Sequence, residues 1–171
     1  KLNSHPGAPV TIYLDFDGHT ESQDWPSSRT DGQTGPIVTP VFDIDGDQTT
    51  YSDEELREIE EVWYRVSEDY SPFNINVTTI DPGTYRDFET ILVSIGGNGS
   101  WIGSPGGIAY LGAFSNSAVN TCYVFSDNTG FGGPDHMKGT ALAASHEVGH
   151  TLGLNHHAVY DASGNLTSQY D

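Results

Sequence analysis

A chain of 171 residues, 35% of them hydrophobic, suffices for one domain with a real core, and no shift in composition marks a second. Six Lys and Arg against 24 Asp and Glu leave a formal charge of -18, which repels nucleic acid and anionic membrane surfaces and excludes both as partners. No apolar run is long enough to cross a bilayer, Lys1-Leu2-Asn3-Ser4 does not read as a secretion leader, and the single Cys122 cannot form an internal disulfide.

In chain order, Val10 to Phe16 alternates Ile12, Leu14 and Phe16 against Thr11, Tyr13 and Asp15, the period of a half-buried strand that ends at Asp17-Gly18. Residues 21–40 are rich in Ser, Thr, Gly and Pro without periodicity and read as a long loop over part of a cleft. Ser52-Asp53-Glu54-Glu55 is a capping box, after which Leu56, Ile59, Trp63, Val66 and Tyr70 recur on one helical face until Ser71-Pro72 ends the helix. Residues 75–80 and 90–95 are β-branched runs of strand length. Gly106 to Phe114 is a glycine-flanked run, Cys122 to Phe125 another, and a second helix begins near Met137. The expected order is β, α, β, β, β, β, α.

That second helix carries His146-Glu147-Val148-Gly149-His150-Thr151-Leu152-Gly153-Leu154-Asn155-His156, the pattern H-E-x-x-H-x-x-G-x-x-H complete in every specified position. Residues four apart on an α-helix lie one above the other, roughly 6 Å apart along the axis, so His146 and His150 can grip one ion. A catalytic zinc needs three protein ligands and one position for water. Gly153 tolerates the left-handed conformation that ends a helix, and His156 then swings back as the third ligand. Three neutral imidazoles leave the ion's charge uncancelled, which lowers the pKa of a bound water from about 15.7 toward about 7. Glu147 is placed to take that water's proton and later pass it to a leaving amine, which is peptide-bond hydrolysis. His157 follows the third ligand and reads as a neighbour of the site or a surface residue.

The extended motif resembles that of the metzincin clan of zinc endopeptidases, nearest to its matrixin-like and other secreted bacterial members. The resemblance implies zinc on His146, His150 and His156, Glu147 as general base, protein or peptide substrates and an extracellular setting. It also implies an α/β fold of mixed α+β type: a metzincin-like upper subdomain with a five-stranded mixed twisted sheet, one antiparallel edge strand, a long helix after strand one and a metal-bearing active-site helix. Ile108, Ala109, Tyr110 and Leu111 then belong to the edge strand and hold an extended peptide by strand addition; the same run also reads as a glycine-bounded core strand without a ligand. Metzincins carry a methionine turn beyond the third histidine, whereas the only methionine here is Met137, upstream. The expectation is a single catalytic domain over 1–171 without that downstream portion. An associated C-terminal fragment of the same polypeptide, and a break in an exposed loop near Asp161 to Asn165, go with it.

Asp43, Asp45, Asp47 and Glu54 fall at positions 1, 3, 5 and 12 of a calcium loop, making Ca2+ a second expected cation beside Zn2+, in keeping with an acid excess that calls for calcium or a saline medium. Gln48 stands at the sixth position where such a loop wants glycine, so the stretch also reads as an acidic turn before a capped helix. Two rival classes follow from other residues. Asp15-Phe16-Asp17-Gly18 resembles the D-x-D opening of haloacid-dehalogenase-like phosphatases, but His19 departs from that pattern and Lys1 and Lys138 are the only lysines; a strand-end turn is the alternative. A catalytically impaired peptide- or calcium-binding module of the same fold is the other, and the intact Glu147 argues against it.

Overall fold

Along the first strand Ile12, Leu14 and Phe16 join the main core, and Tyr13 and Asp15 between them are buried too, so this strand, read as half-buried, is covered on both faces. The computed structural model describes residues 1–22, 29–130, 133 and 135–170; residues 23–28, part of the stretch read as a loop, lie outside them. In chain order the elements are β1 (Val10–Asp15), β2 (His19–Glu21), β3 (Ile37–Thr39), α1 (Asp53–Asp69), β4 (Ile75–Thr78), β5 (Thr90–Ile95), β6 (Gly107–Ile108), β7 (Thr121–Val124), α2 (His136–Thr151), β8 (His157–Tyr160) and β9 (Leu166–Tyr170). Five strands form one sheet in the order β4-β1-β5-β7-β6. Four run parallel and β6 pairs antiparallel with β7 at the edge, so the mixed sheet expected from the resemblance is present.

One face of this sheet presents Ile12, Leu14, Ile91, Val93, Cys122 and Val124 to Ile59, Val62 and Val66 of α1 and to Ala141, Ala144 and Val148 of α2. The alanines of α2 let its backbone lie close to the sheet, which fixes the height of everything that helix carries. Both faces of β5 are buried, as a central parallel strand requires. On the opposite face, β2 and β3 form an antiparallel ribbon over the sheet. Glu21 accepts a hydrogen bond from Thr121 Oγ1 at 2.9 Å, and Ile37 packs with Tyr123 and Phe125.

Four further expectations need correction. The stretch 21–40 contains β3 and meets the end of β2, because Glu21, Ile37 and Thr39 have a sheet face to bury against. The capping box of α1 forms, but Leu56 is half exposed and Val62 is buried instead. Glu55 occupies the inward position of the first turn, its carboxylate accepting Ile44 N–H at 2.9 Å and Ser52 N–H at 2.7 Å. The edge strand is only Gly107–Ile108, and Ala109, Tyr110 and Leu111 lie beyond it. Gly112, at φ 74°, turns the chain there and donates its N–H to His150 O at 2.8 Å. Beyond α2, β8 and β9 make a hairpin, and Asp161 to Asn165 is its exposed turn, with the Asp161 carboxylate accepting Ser163 and Asn165 N–H groups. Among the described residues no helix is long and apolar enough to cross a membrane.

Candidate metal centre

Helix α2 ends in a pair of hydrogen bonds that redirect the chain. Gly153, at φ 98°, donates its N–H to His150 O at 2.8 Å, and Leu154 N–H reaches Gly149 O at 2.9 Å, the two bonds of a Schellman motif. The reversal carries His156 back over the face that bears His146 and His150. The three imidazoles meet: His156 Nε2 stands 3.0 Å from His146 Nε2 and 2.9 Å from His150 Nε2. One ligand atom from each residue lies within 4.8 Å of the others.

The protonation of these rings shows what the cluster is suited to hold. His150 Nδ1 is 2.7 Å from Leu154 O, and a carbonyl only accepts, so Nδ1 carries the hydrogen and Nε2 is a bare lone pair. His156 Nε2 carries at most one hydrogen and so cannot donate to both neighbours. Among neutral rings, at most one of the two contacts is then a well-aimed hydrogen bond, and the other is a share of a divided hydrogen, two opposed lone pairs or two opposed hydrogens. A cation bound by all three lone pairs removes that conflict. Ligand nitrogens on a tetrahedral zinc at 2.0–2.1 Å stand roughly 3.3 Å apart, close to the spacing seen here, and imidazole nitrogen is a preferred donor for zinc. The residues present therefore fit such an ion. The bond from His150 to Leu154 O also locks ring orientation, the usual support of a ligating histidine.

Glu147 lies one residue along α2 from His146 and faces the sheet rather than solvent, at 6% exposure. Burial alone raises its carboxyl from 4.5 to about 7. Its side chain reaches the edge strand, where a Cβ built on Gly107 would fall 2.7 Å from both Glu147 Cγ and Oε1. Two clefts flank the histidines. One of about 600 Å³ is lined by Ala109, Leu111, Ala158 and Leu166 with His150 and His156; the other, of about 370 Å³, lies between Tyr70, Gly149, Leu154 and His157.

With this geometry established, the family follows. Residues 46–157, from the loop before α1 to just past the third histidine, match the model of the Metallo-peptidase family M12B Reprolysin-like. The chain belongs to this family. It is thus a reprolysin-like metzincin, and the metal motif, shared across the clan, does not by itself distinguish this branch from the matrixin-like one suggested by the sequence. Searches among curated proteins and among solved structures gave no match.

The other candidate residues fare differently. Asp43 and Asp45 come together with Glu55, whereas Asp47 and Glu54 stand outside that group. Asp47 is engaged by Thr49 and Thr50, and Asp43 Oδ1 accepts the N–H groups of Asp45 and Gly46. Asp15 is buried and its Oδ1 accepts Asp17 N–H at 2.9 Å, the strand-end turn rather than a phosphatase nucleophile. His157 is exposed in β8 beside the smaller cleft. Sequence reasoning missed Leu154 O as the partner of His150, because no side-chain type signals a carbonyl acceptor. It also missed Gly107, which it read only as part of a glycine-flanked run.

Proposed function

We propose that this chain is a zinc-dependent endopeptidase domain that cleaves internal bonds of protein substrates. The observation that carries the reading is the convergence of three imidazoles, with His156 Nε2 about 3 Å from the Nε2 atoms of both His146 and His150, on a helix where the residue after His146 is the buried Glu147. His146, His150 and His156 would hold the zinc. When bound, such an ion acts as a Lewis acid that polarises a carbonyl oxygen and acidifies water.

The remaining chemistry falls to the chain. His150 Nδ1–H, fixed on Leu154 O, keeps the ring's Nε2 lone pair aimed inward. Glu147, held against the sheet edge one residue after His146, supplies a carboxylate that can take a proton from the attacking water and return it to the departing amine nitrogen. An extended peptide pairs along the free side of β6 and the segment Ala109 to Leu111, which places main chain, the feature common to all proteins, next to the histidines. The acid excess and the grouping of Asp43, Asp45 and Glu55 support work outside the cell in a saline or calcium-bearing medium.

The test is cleavage of an unfolded protein substrate. Treatment with 1,10-phenanthroline is expected to abolish turnover, and stoichiometric Zn2+ to restore it. Turnover indifferent to the chelator, or no turnover by the zinc-loaded domain, overturns the reading.

A further inference from the structure

We propose that Gly107 is a positioning residue for the base: its missing side chain is the slot that holds the Glu147 carboxylate against the sheet edge. The inference rests on the endopeptidase reading above and adds a residue to it.

Glycine weakens a strand, since it has no side chain to pack and the most backbone freedom to lose. In most turns of this chain a positive φ explains it, as at Gly153 and Gly112. Gly107 is not among the positive-φ glycines, so its backbone accepts any residue. The reason for glycine must be sought in space. A Cβ there would stand 2.7 Å from Glu147 Cγ, 2.7 Å from Glu147 Oε1 and 2.8 Å from Tyr123 O. Its neighbour Gly106 supplies the contrast, because a Cβ at that position meets nothing closer than Thr129 Cγ2 at 4.0 Å. Two adjacent glycines thus differ in what they exclude: only the second keeps a wall off the carboxylate.

The carbonyl of Tyr123 belongs to β7, fixed in the middle of the sheet by its pairing with β5 on one side and β6 on the other. An added methyl at 107 cannot displace that backbone cheaply, so the clash is relieved by a small shift of the edge strand away from Tyr123 O and by a rearrangement of the Glu147 side chain from Cγ outward. The carboxylate then moves along or out of the slot by the overlap, on the order of an ångström. A displacement of that size in a catalytic group costs about 10²-fold in rate. The main-chain groups on the unpaired side of β6 are not themselves substituted, so peptide binding is expected to change less than the chemical step.

The experiment compares wild type, Gly107→Ala and Gly106→Ala, each zinc-loaded and with zinc content measured, on one peptide substrate. We expect Gly107→Ala to lose kcat by about 10²-fold with KM within about threefold of wild type and zinc content unchanged, and Gly106→Ala to match wild type in all three. A Gly107→Ala enzyme that retains its kcat, or an equal loss in Gly106→Ala, overturns the inference. Crystal structures of wild type and Gly107→Ala read the same question without turnover: the carboxylate should leave its place beside β6, and finding it unmoved sinks the proposal. If wild type shows no peptidase activity the endopeptidase reading fails, and the displacement of Glu147 still decides the role of Gly107.

Discussion

Replacing Gly153 by alanine separates the contribution of chain reversal from that of the imidazoles themselves. At φ 98° this residue lies where an L side chain is strained, yet a Cβ there would meet only Gly112 Cα at 4.0 Å, so no steric overlap confuses the outcome. The cost is conformational, about 1–2 kcal/mol for an L-residue held in the left-handed region. Three hydrogen bonds depend on the reversal: Gly153 N–H to His150 O, Leu154 N–H to Gly149 O, and His150 Nδ1–H to Leu154 O at 2.7 Å. The metal-free variant relieves its strain by letting residues 153–156 depart from this path, which removes His156 from the cluster. Zinc must then restore the turn, and 1–2 kcal/mol charged to binding weakens it by about 5- to 30-fold. Competition against a chromogenic chelator measures that shift. Gly153→Asn should recover part of it, because asparagine tolerates the left-handed region better than alanine. A variant whose zinc affinity equals wild type while its metal-free melting temperature falls would refute the reasoning, since the reversal would then not be what presents His156.

Two other perturbations follow. Glu147→Gln keeps the shape that fits against Gly107 and removes the proton acceptor, so kcat should fall by about 10²- to 10⁴-fold with zinc content preserved by mass spectrometry; a loss under tenfold would dismiss this carboxylate as the base. Burial raises Asp15 from 3.8 to about 6, although Asp17 N–H and the nearby His19 pull the other way. A carboxyl raised in the folded state binds its proton more tightly there than in the unfolded chain. Its stabilising contribution is therefore complete below about pH 4 and is lost as pH rises through about 6. Asp15→Asn, whose amide oxygen still accepts from Asp17, should flatten that part of the curve in urea melts of the metal-free protein between about pH 4 and 7, and parallel curves for the two proteins would show that burial does not act on Asp15 in this way.

The histidine cluster was legible because its information is local. A one-turn repeat of histidine, a helix-ending glycine and a third histidine specify their own geometry, and each behaves as the spacing predicts. The capping box at Ser52 and Glu55 was legible for the same reason. What escaped is set by partners far away in sequence. Leu56 has the right period for the core, but the buried position in that turn goes to Glu55, whose carboxylate is needed by the amide of Ile44. Residues 109–111 have strand composition, but Gly112 bonds to His150 O and draws the chain away from β7. Glu21 and Thr121 are 100 residues apart, and nothing in either segment announces that one will accept a hydrogen bond from the other. The calcium-loop pattern selected Glu54 by counting, whereas helical phase turns Glu55 toward Asp43 and Asp45.

The supports of the three histidines are unequal, and that inequality assigns a role to the cation. The first turns of α2 are tied to the body by His136 Nδ1 against Glu58 at 2.9 Å and its Nε2 against Ser126 O at 3.1 Å. Tyr70 OH donates to Ser145 O at 2.9 Å and Ser145 Oγ to Asp69 at 2.6 Å, immediately before His146. His146 and His150 thus project from a helix held at several points against α1 and the sheet. His156 projects from a short reversal whose bonds run back to the same helix end, and the hairpin that follows pairs chiefly with itself. Two ligands are preorganised by the core and the third is conditional on the turn. A cation held by all three would draw its affinity from the rigid pair and in return stabilise the reversal, so on the proposed reading metal binding and the order of residues 153–156 are one equilibrium seen from two ends.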